Sequence, residues 1–423
     1  MRHLITAAIA LLSWTLPRVG PLKLTEAIAL LGAPKALASR SVQTLMIRCY
    51  WPFFIASIVA LAMAGLNLSV NPETNLTSEK ALYSTPGMVA LITFIRILAY
   101  LITVSVLVHF FQRSTQQEVS RTLRIAYYTT ILPGALQLLR LHTGLYFDLP
   151  FERPDAGPFS GIFASSNDQM RLMGFEIEPL AYASSLVTAC CLSMHNGRRI
   201  PWLGMVVLYS TYGVGAIIGL CLALLLSISG SLRRWIIPLY AAGVAGAAWF
   251  IVANIDDLLD QFQLIGSVAE RLGSIYNCVA IWLDHPLGGG LGTYGYWMNG
   301  YDRTGTFLTN RIDFHANNDS LEFLAAGGLL LAGGHLYAFH VVLKRSRSYW
   351  LWVACTALMI QSISAYIFFN PALMVVFAML LARLEPVPKA AKPARRRRGV
   401  RFVWPRLPRF RWDMRLGRDV PPR

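Results

Sequence analysis

The sequence predicts an all-α, polytopic membrane protein with about twelve membrane-spanning helices. Of its 423 residues 55% are hydrophobic and only 14% are charged, and the mean hydropathy is +0.47. Soluble domains carry about 25% charged residues. The apolar stretches are continuous, as in Ile217 to Leu226, whereas a membrane β-barrel would alternate apolar and polar residues. In lipid, backbone polar groups must be satisfied within the segment, so these stretches are expected to form helices.

Hydropathy and the Lys and Arg positions define the spans in order. The first follows Arg2 and is similar to a signal peptide, but a retained helix is favoured because many spans follow. The stretch 200–230 has basic residues at both ends, so it must turn back near Tyr212-Gly213; the stretch 349–384 likewise turns at Asn370-Pro371. The predicted spans are 3–16, 22–38, 49–67, 88–111, 122–141, 176–194, 201–211, 213–230, 235–253, 320–343, 349–368 and 371–384.

The distribution of basic residues predicts the orientation. Connections rich in Lys and Arg all fall on one side, which the positive-inside rule makes cytoplasmic together with both termini. The far side carries two long loops, about 142–175 and 254–319, and loops of this length are uncommon unless functional. The cytoplasmic connections carry Arg40, Arg48, Arg113, Arg121, Arg198, Arg199, Arg233, Arg234, Lys344, Arg345 and Arg347.

Two domains are predicted, a transmembrane domain over 1–385 and a basic, disordered cytoplasmic tail over 386–423. The tail has thirteen Lys and Arg against two Asp, a net +11 of the chain's +16. Its Arg395–Arg398 run is followed by interleaved Phe and Trp, a pattern that favours anionic lipid of the inner leaflet as the partner over nucleic acid.

The second long loop contains a predicted amphipathic helix. Its apolar residues recur at spacings of three and four, and such a helix can lie on the membrane surface or cover a cavity between spans. Glu270, Ser274 and Asn277 are expected on the opposite, polar face. The apolar stripe consists of Val268, Leu272, Ile275, Val279 and Trp282.

The cysteines argue against a disulfide framework or a zinc site. Five of the six fall in predicted spans, and no Cys-x-x-Cys or Cys/His ligand spacing occurs. We therefore expect neither a disulfide framework nor a structural zinc site.

His315 is the leading catalytic candidate. It lies just before the span 320–343, and Asp319 with Glu322 fits a capping box that opens this helix. The same geometry directs a helix N-terminus, which binds phosphates well, toward the loop. A neutral imidazole there could take a proton from an attacking hydroxyl.

Far-side arginines are the candidates for phosphate binding, because a guanidinium matches phosphate oxygens bidentately and keeps its charge. Arg271 lies on the amphipathic helix, Arg171 precedes the span 176–194, and Arg311 lies four residues before His315. Arg153 and Arg303 are better explained as solvated side chains. Glu176 and Glu178 could pair with an arginine or act as a base, although the helix dipole explains them equally well.

Other polar segments have simpler explanations. Gly288-Gly-Gly-Leu-Gly292 could cradle a phosphate, but without the Lys-Ser/Thr of a nucleotide loop a tight turn is favoured. The intramembrane residues Asn67, His109, Gln137 and Gln361 are typical of interhelical hydrogen bonding.

Three segments together resemble the O-antigen ligase and polymerase family of bacterial surface polysaccharide enzymes. Arg271-Leu272 with Trp282-Leu-Asp-His-Pro-Leu-Gly-Gly-Gly-Leu-Gly292 is similar to the segment that opens the family's large periplasmic loop. Phe314-His-Ala-Asn-Asn-Asp-Ser-Leu-Glu-Phe-Leu-Ala-Ala-Gly-Gly328 resembles its closing His-Asn-x-x-Leu-x-x-Leu-x-x-x-Gly pattern. Arg171-Leu-Met-Gly-Phe-Glu-Ile-Glu-Pro179 is similar to the segment before a preceding helix. The resemblance is strongest over about 170–345.

The resemblance implies a metal-independent glycosyltransferase in the bacterial inner membrane with a periplasmic active site. The donor would be a glycan on undecaprenyl diphosphate, His315 would assist the acceptor hydroxyl, and Arg271 would hold the diphosphate. Many family members carry Ser-Arg-Gly where this chain has Thr211-Tyr212-Gly213, so one arginine position is unfilled and Arg171 or Arg311 would have to replace it.

Three functions remain open at this stage. A polymerase would join lipid-linked repeat units into O-antigen or exopolysaccharide, and a chain-length regulator protein is a candidate partner. A ligase would move the glycan to lipid A-core, with the same chemistry. A polysaccharide or small-solute transporter is the alternative from another class, but buried mid-membrane charges, which transport would favour, are few. The polymerase is preferred.

Overall fold

The computed structural model describes residues 2–11, 13, 18–19, 22–66, 86–143, 162–164, 170–172, 179–197, 200–230, 232–262, 266–301, 315–316, 318–365 and 367–384. These residues form helices and two short pairs of strands. The helices are α1 (Arg2–Ala10), α2 (Leu24–Leu30), α3 (Ala33–Leu37), α4 (Arg40–Leu66), α5 (Pro86–Arg113), α6 (Gln116–Thr143), α7 (Pro179–His195), α8 (Trp202–Ser210), α9 (Val214–Ile228), α10 (Leu232–Ala253), α11 (Ile255–Phe262), α12 (Gly266–Asp284), α13 (Tyr294–Tyr301), α14 (Asp319–Lys344), α15 (Tyr349–Gln361) and α16 (Pro371–Leu381). The strands are β1 (Arg18–Val19), β2 (Leu22–Lys23), β3 (Ile162–Ala164) and β4 (Met170–Leu172).

Long apolar helices dominate the described residues. By length and composition four of these helices can cross a membrane: α4, α5 from Gly87, α10 and α14. A helix of 28 residues such as α5 is about 42 Å long, which exceeds a hydrocarbon core of about 30 Å. Shorter apolar helices are α7 from Leu180, α9, α15 and α16. The predicted helical, membrane-type architecture is confirmed in this coarse form, and the count of twelve spans stays a prediction.

Both predicted turns inside the short helix pairs are confirmed. α8 ends at Ser210 and α9 begins at Val214, and Tyr212 between them has a φ of 49°. α16 begins at Pro371, where the Asn370 side chain accepts a hydrogen bond from the Ala372 backbone N–H at 2.8 Å. An Asn cap followed by Pro is a strong local signal for a helix start.

The span predicted over 22–38 is wrong as a single helix. It is divided into α2 and α3 at Leu31-Gly32. The break has a local cause, because Pro34 lies in the first turn of α3 and lacks the backbone N–H that a continuous helix would need.

Two regions predicted as loops contain regular structure. The second long loop, 254–319, holds α12, which confirms the predicted amphipathic helix, and also α11 and α13, which were not predicted. The first holds β3 and β4, which pair antiparallel with Phe163 opposite Arg171. β1 and β2 form a second short pair. These strands are only two or three residues long, so the described part of the chain agrees with the predicted all-α class. The tail 386–423 lies outside the described residues.

The core is built around the pair α4 and α14. Small residues at their interface allow the two helices to pack closely. At Gly334 an added Cβ would lie 2.7 Å from the Cα of Phe53. The pair α9 and α15 is similar, since a Cβ at Gly219 would lie 2.8 Å from the Ala357 carbonyl oxygen. Apolar helices in lipid associate through such close van der Waals packing.

Two separate charge interactions involve basic residues near helix ends. Arg2 forms an ion pair of 2.7 Å with Glu118 at the start of α6. Arg345 follows α14, and its pKa is lowered by burial and by the charges of Arg383 and Arg48. Arg48, Arg345 and Arg383 therefore lie near one another at the C-terminal end of α14.

Candidate functional site

The N-terminus of α14 is capped by Asn318. Its Oδ1 accepts a hydrogen bond from the Leu321 backbone N–H at 2.9 Å, and its Nδ2 donates to the Ile363 carbonyl at 3.1 Å. The predicted capping box of Asp319 and Glu322 is therefore wrong, because the cap is one residue earlier. Both carboxylates are free for other roles, and the two roles differ.

Asp319 has a structural role. Its side chain is buried, and its carboxylate accepts hydrogen bonds from the backbone N–H groups of Ile367, at 3.0 and 3.2 Å, and Phe368, at 3.3 Å. Its own backbone N–H donates to the Ser362 carbonyl at 3.1 Å. Asp319 thus fixes the start of α14 to the segment that connects α15 and α16.

Glu322 has a partner suited to chemistry. Its Oε1 lies 2.7 Å from Nδ1 of His315, and the side chains are 4% and 29% exposed respectively. With the proton on Nδ1, the imidazole donates to the carboxylate and Nε2 is the basic nitrogen. A carboxylate that orients a histidine in this way also stabilises the imidazolium formed when the histidine accepts a proton. The structure therefore brings together His315 and Glu322 of the predicted site.

A polar group of α12 and α13 lies close enough to Glu322 for its charge to act on Tyr294. Ser274, Asn277 and Tyr294 are all buried, and the Tyr294 hydroxyl lies 3.3 Å from the Ser274 hydroxyl. Burial raises the pKa of Tyr294 well above its usual 10, so the hydroxyl stays protonated. Ser274 and Asn277, which were predicted on the polar face of the amphipathic helix, are buried by neighbouring helices. This face packs inward because α12 lies against α13 and α14 as well as α10 and α11.

Arg271 lies at the same end of the bundle as His315. It is exposed on α12, seven residues before Cys278, which is close enough to Glu322 to feel its charge. Gly289, after α12, donates to the Ala325 carbonyl on α14 at 2.8 Å, so both helices advance in the same direction. Seven residues of α12 make nearly two turns, so Arg271 lies on the same face of α12 as Cys278. Along the helix axis Arg271 is about 10 Å from Cys278, in the direction of the start of α14.

Other helix ends meet at the start of α14. Gln361 donates to the Leu180 carbonyl at 3.0 Å, which ties the end of α15 to the start of α7. The prediction of interhelical hydrogen bonding is confirmed for Gln361. The Tyr212 turn lies beside this contact, since a Cβ at Gly213 would lie 2.5 Å from Ala183, and one at Gly215 2.6 Å from the Ser364 hydroxyl.

Four other predicted site residues lie partly or wholly outside the described residues. Arg171 belongs to β4, which lies near α6, α7 and α8, and its side chain lies outside the described residues. Arg311, Glu176 and Glu178 lie outside the described residues altogether. Their assignments stay predictions.

The glycine run after α12 forms a tight turn that docks on α14, as favoured by the sequence. α14 is broken at Gly327 and Gly328, where the latter has a φ of 61°. The N–H groups of Gly289 and Gly290 donate to the carbonyls of Ala325 and Ala326, at 2.8 and 3.0 Å. These amides are therefore used inside the protein, which argues against a phosphate cradle.

One buried cation was missed by the sequence reasoning. Arg140 lies near the end of α6 and is only 1% exposed, the largest of the fully buried side chains. Tyr182, early in α7, donates to the Thr130 carbonyl on α6 at 2.7 Å, so the last turns of α6 lie at the level where α7 begins. The signal was the position of Arg140 inside a predicted span, where an arginine is costly and seldom incidental.

No group of three or more His, Cys, Asp and Glu in the described part of the chain has the geometry of a metal site. Comparison with protein-family models, with curated proteins and with solved structures found no match to this chain.

Proposed function

We propose that this protein is a membrane glycosyltransferase that polymerises undecaprenyl-diphosphate-linked repeat units of O-antigen or exopolysaccharide. The observation that carries the proposal is the 2.7 Å contact between His315 and Glu322 at the start of α14, which packs against α12, the helix that bears the exposed Arg271. A histidine held by a buried carboxylate is a suitable general base for a sugar hydroxyl. Arg271 supplies the charge that a diphosphate leaving group requires.

In the proposed reaction the acceptor hydroxyl attacks the anomeric carbon of the donor sugar. His315 takes the hydroxyl proton at Nε2, and Glu322 stabilises the resulting imidazolium. A glycosidic bond forms while the bond between the anomeric carbon and the diphosphate oxygen breaks. Undecaprenyl diphosphate leaves with the bonding electrons, and Arg271, with Arg171 and Arg311 as further candidates, offsets its charge. The reaction needs no metal and no cofactor.

The proposed topology has about twelve spans in the bacterial inner membrane, with both termini in the cytoplasm and His315 on the periplasmic side. The meeting of Arg48, Arg345 and Arg383 near the other end of α14 supports this orientation. The basic tail over 386–423 would contact anionic lipids of the inner leaflet.

The break in α14 is the observation that would favour a transporter, since discontinuous helices often form transport sites. A transport site needs the freed carbonyls to face a ligand. In this protein the carbonyls of Ala325 and Ala326 accept hydrogen bonds from Gly289 and Gly290. The break is filled by the protein itself, so the enzyme is the better proposal.

The direct test incubates the purified protein with undecaprenyl-diphosphate-linked repeat units and resolves the lipid-linked products by size. A ladder of longer glycans is the expected result. Transfer only to added lipid A-core would support a ligase in place of a polymerase. No transfer to either acceptor, with the protein folded in detergent or lipid, would contradict the proposed chemistry.

A further inference from the structure

Arg96 is a cation within α5, one of the helices that can cross a membrane, and it forms no ion pair with the other described residues. It lies ten residues after Pro86, about 15 Å along the helix, and seventeen residues before Arg113, about 26 Å from that end. Its guanidinium carbon lies 4.4 Å from the centre of the Phe369 ring, and the side chain is partly exposed. An arginine at membrane depth is costly and usually marks a partner or a ligand.

Lys23 brings a second cation to the same residue. Its Nζ donates a hydrogen bond to the Phe369 carbonyl oxygen at 2.7 Å, and this side chain is also partly exposed. The Lys23 backbone N–H donates to Oε2 of Glu26 at 2.9 Å, so that carboxylate helps to cap the start of α2. Cations from α2 and α5, two helices that pack against each other, therefore both contact Phe369.

Phe369 lies close to the start of α14. The backbone N–H of the preceding Phe368 donates to the Asp319 carboxylate at 3.3 Å, and the centre of the Phe368 ring lies 5.0 Å from that of Phe323. The neighbouring Glu322 instead lies close to α12. Adjacent side chains on a helix point about 100° apart. The two cations and α12 therefore flank the start of α14 on different faces.

The chemistry of the two side chains fits a phosphate-bearing lipid. A guanidinium and an ammonium bind diphosphate oxygens through charge-assisted hydrogen bonds. Beside Arg96 on α5, Leu91 and Ile95 are 43% and 48% exposed. An apolar surface thus adjoins the cations, as a lipid chain attached to the diphosphate requires.

The proposed polymerase reaction uses two molecules of this class, the donor and the acceptor. The donor diphosphate is bonded to the reacting anomeric carbon, so it must lie beside His315, on the side where Arg271 is available. The acceptor diphosphate is separated from the attacking hydroxyl by the sugars of a repeat unit. Its binding site must therefore lie apart from the His315–Glu322 pair, on another approach to the start of α14.

We propose that Arg96 and Lys23 bind the diphosphate of the lipid-linked acceptor, an inference that rests on the proposed function. Arg96 contributes a bidentate fork and Lys23 a point charge. The acceptor sugars extend from these cations toward Nε2 of His315, and the donor approaches from the side of Arg271.

The first test counts binding sites without any reaction. The protein in nanodiscs of zwitterionic lipid is titrated calorimetrically with farnesyl diphosphate, and two sites are expected. Arg96→Gln and Lys23→Gln should weaken the same site by at least about tenfold, and Arg271→Gln should weaken the other. Arg113→Gln, an exposed arginine at the far end of α5, is the control and should change neither. A single site in the unaltered protein, or one site weakened by all three variants, would overturn the proposal.

Two further titrations identify the source of the phosphate. Inorganic pyrophosphate should bind the Arg96-dependent site at least about tenfold more weakly than farnesyl diphosphate, because it has no chain to bury. Phosphatidylglycerol added to the nanodiscs should not displace farnesyl diphosphate from this site. Equal affinity for pyrophosphate, or displacement by phosphatidylglycerol, would overturn the assignment to the acceptor.

Arg96→Lys covers the case in which Arg96→Gln does not fold. It keeps the charge and loses the fork, so the affinity of the same site should fall about fivefold. An unchanged affinity would overturn the role of Arg96.

Kinetics assign the site to the acceptor. With a labelled long-chain donor and an unlabelled repeat unit as acceptor, Arg96→Gln should raise KM for the acceptor about tenfold and leave kcat and the donor KM unchanged. A raised donor KM with an unchanged acceptor KM would overturn the assignment. If the unaltered protein transfers no glycan, the proposed function fails, while the calorimetric count still decides whether the second diphosphate site exists.

Discussion

Two histidines of this protein form hydrogen bonds of equal length through Nδ1, but to different partners and in different surroundings. His315 Nδ1 lies 2.7 Å from Oε1 of Glu322, and His195 Nδ1 lies 2.7 Å from the Ser348 hydroxyl. His315 is partly exposed at the start of α14, whereas His195 is 1% exposed at the end of α7. The bond length alone cannot distinguish a reactive histidine from a structural one.

The two histidines differ in their hydrogen-bond partner and in their exposure to solvent. A carboxylate stabilises the positive charge that a histidine acquires when it takes a proton, and a hydroxyl does so much less. Ser348 also caps α15 through the Leu351 backbone N–H, so the contact with His195 joins two helix ends. His195 therefore serves as an internal reference for the role assigned to His315.

The largest expected difference between the two is in turnover. His315→Ala should reduce glycan transfer by about 10²- to 10⁴-fold, the usual contribution of a general base. His195→Ala should lower Tm and leave turnover per folded molecule near that of the unaltered protein. The measurement is product ladders from equal amounts of purified, folded protein. Equal losses in the two variants would erase the distinction.

The carboxylate partner gives the next largest effect. Glu322→Gln keeps the size of the side chain but removes the charge that stabilises the imidazolium, so we expect turnover to fall at least about tenfold with little change in Tm. Asp319→Asn should do the reverse, since that carboxylate accepts the Ile367 and Phe368 amides. Activity assays and unfolding curves of both variants are compared. A Glu322→Gln protein with full activity would show that the pair is structural.

A smaller effect is expected at Arg271. In Arg271→Lys a point charge replaces a planar fork, so binding of the donor diphosphate should weaken by about tenfold. The matched control is Arg124→Lys, an exposed arginine near the start of α6, which should leave binding unchanged. Titration with a short-chain polyprenyl diphosphate measures both. Parallel behaviour of the two variants would remove Arg271 from the site.

The smallest effect concerns the reference histidine. Ser348→Ala removes the α15 cap and the partner of His195, which should cost about 1 kcal/mol of stability. Turnover at a temperature well below Tm should be unchanged. Thermal unfolding and a transfer assay on the same preparation check this. A marked loss of transfer would mean that the His195 end also contributes to catalysis.

Hydropathy and turn residues in the sequence correctly predicted several helices and helix breaks. The span 88–111 corresponds to α5, and Asn370-Pro371 and Tyr212-Gly213 marked the helix breaks. In lipid the chain has few alternatives to a helix, so hydropathy is a strong guide. The helix break at Gly32 within the predicted span 22–38 was missed, because the apolar composition favoured one continuous helix despite the nearby Pro34.

The site could be predicted only in part. Its residues His315 and Glu322 were found because they are close in sequence and lie at a helix start. The backbone N–H groups that donate to the Asp319 carboxylate are 48 and 49 residues away along the chain. No local sequence pattern encodes contacts over such a separation. The burial of Asn277 was not predicted, because an amphipathic pattern shows where apolar residues are and not which neighbours cover the polar face.

The break in α14 has a consequence for how the protein enters the membrane. Gly289 and Gly290, which precede α14 in the chain, supply the donors for the Ala325 and Ala326 carbonyls. Without them, these carbonyls would meet acyl chains during insertion. We therefore expect α12, the glycine turn and α14 to leave the translocon as one unit, so that the polypeptide that builds the site is also required for the biogenesis of the helix beside it.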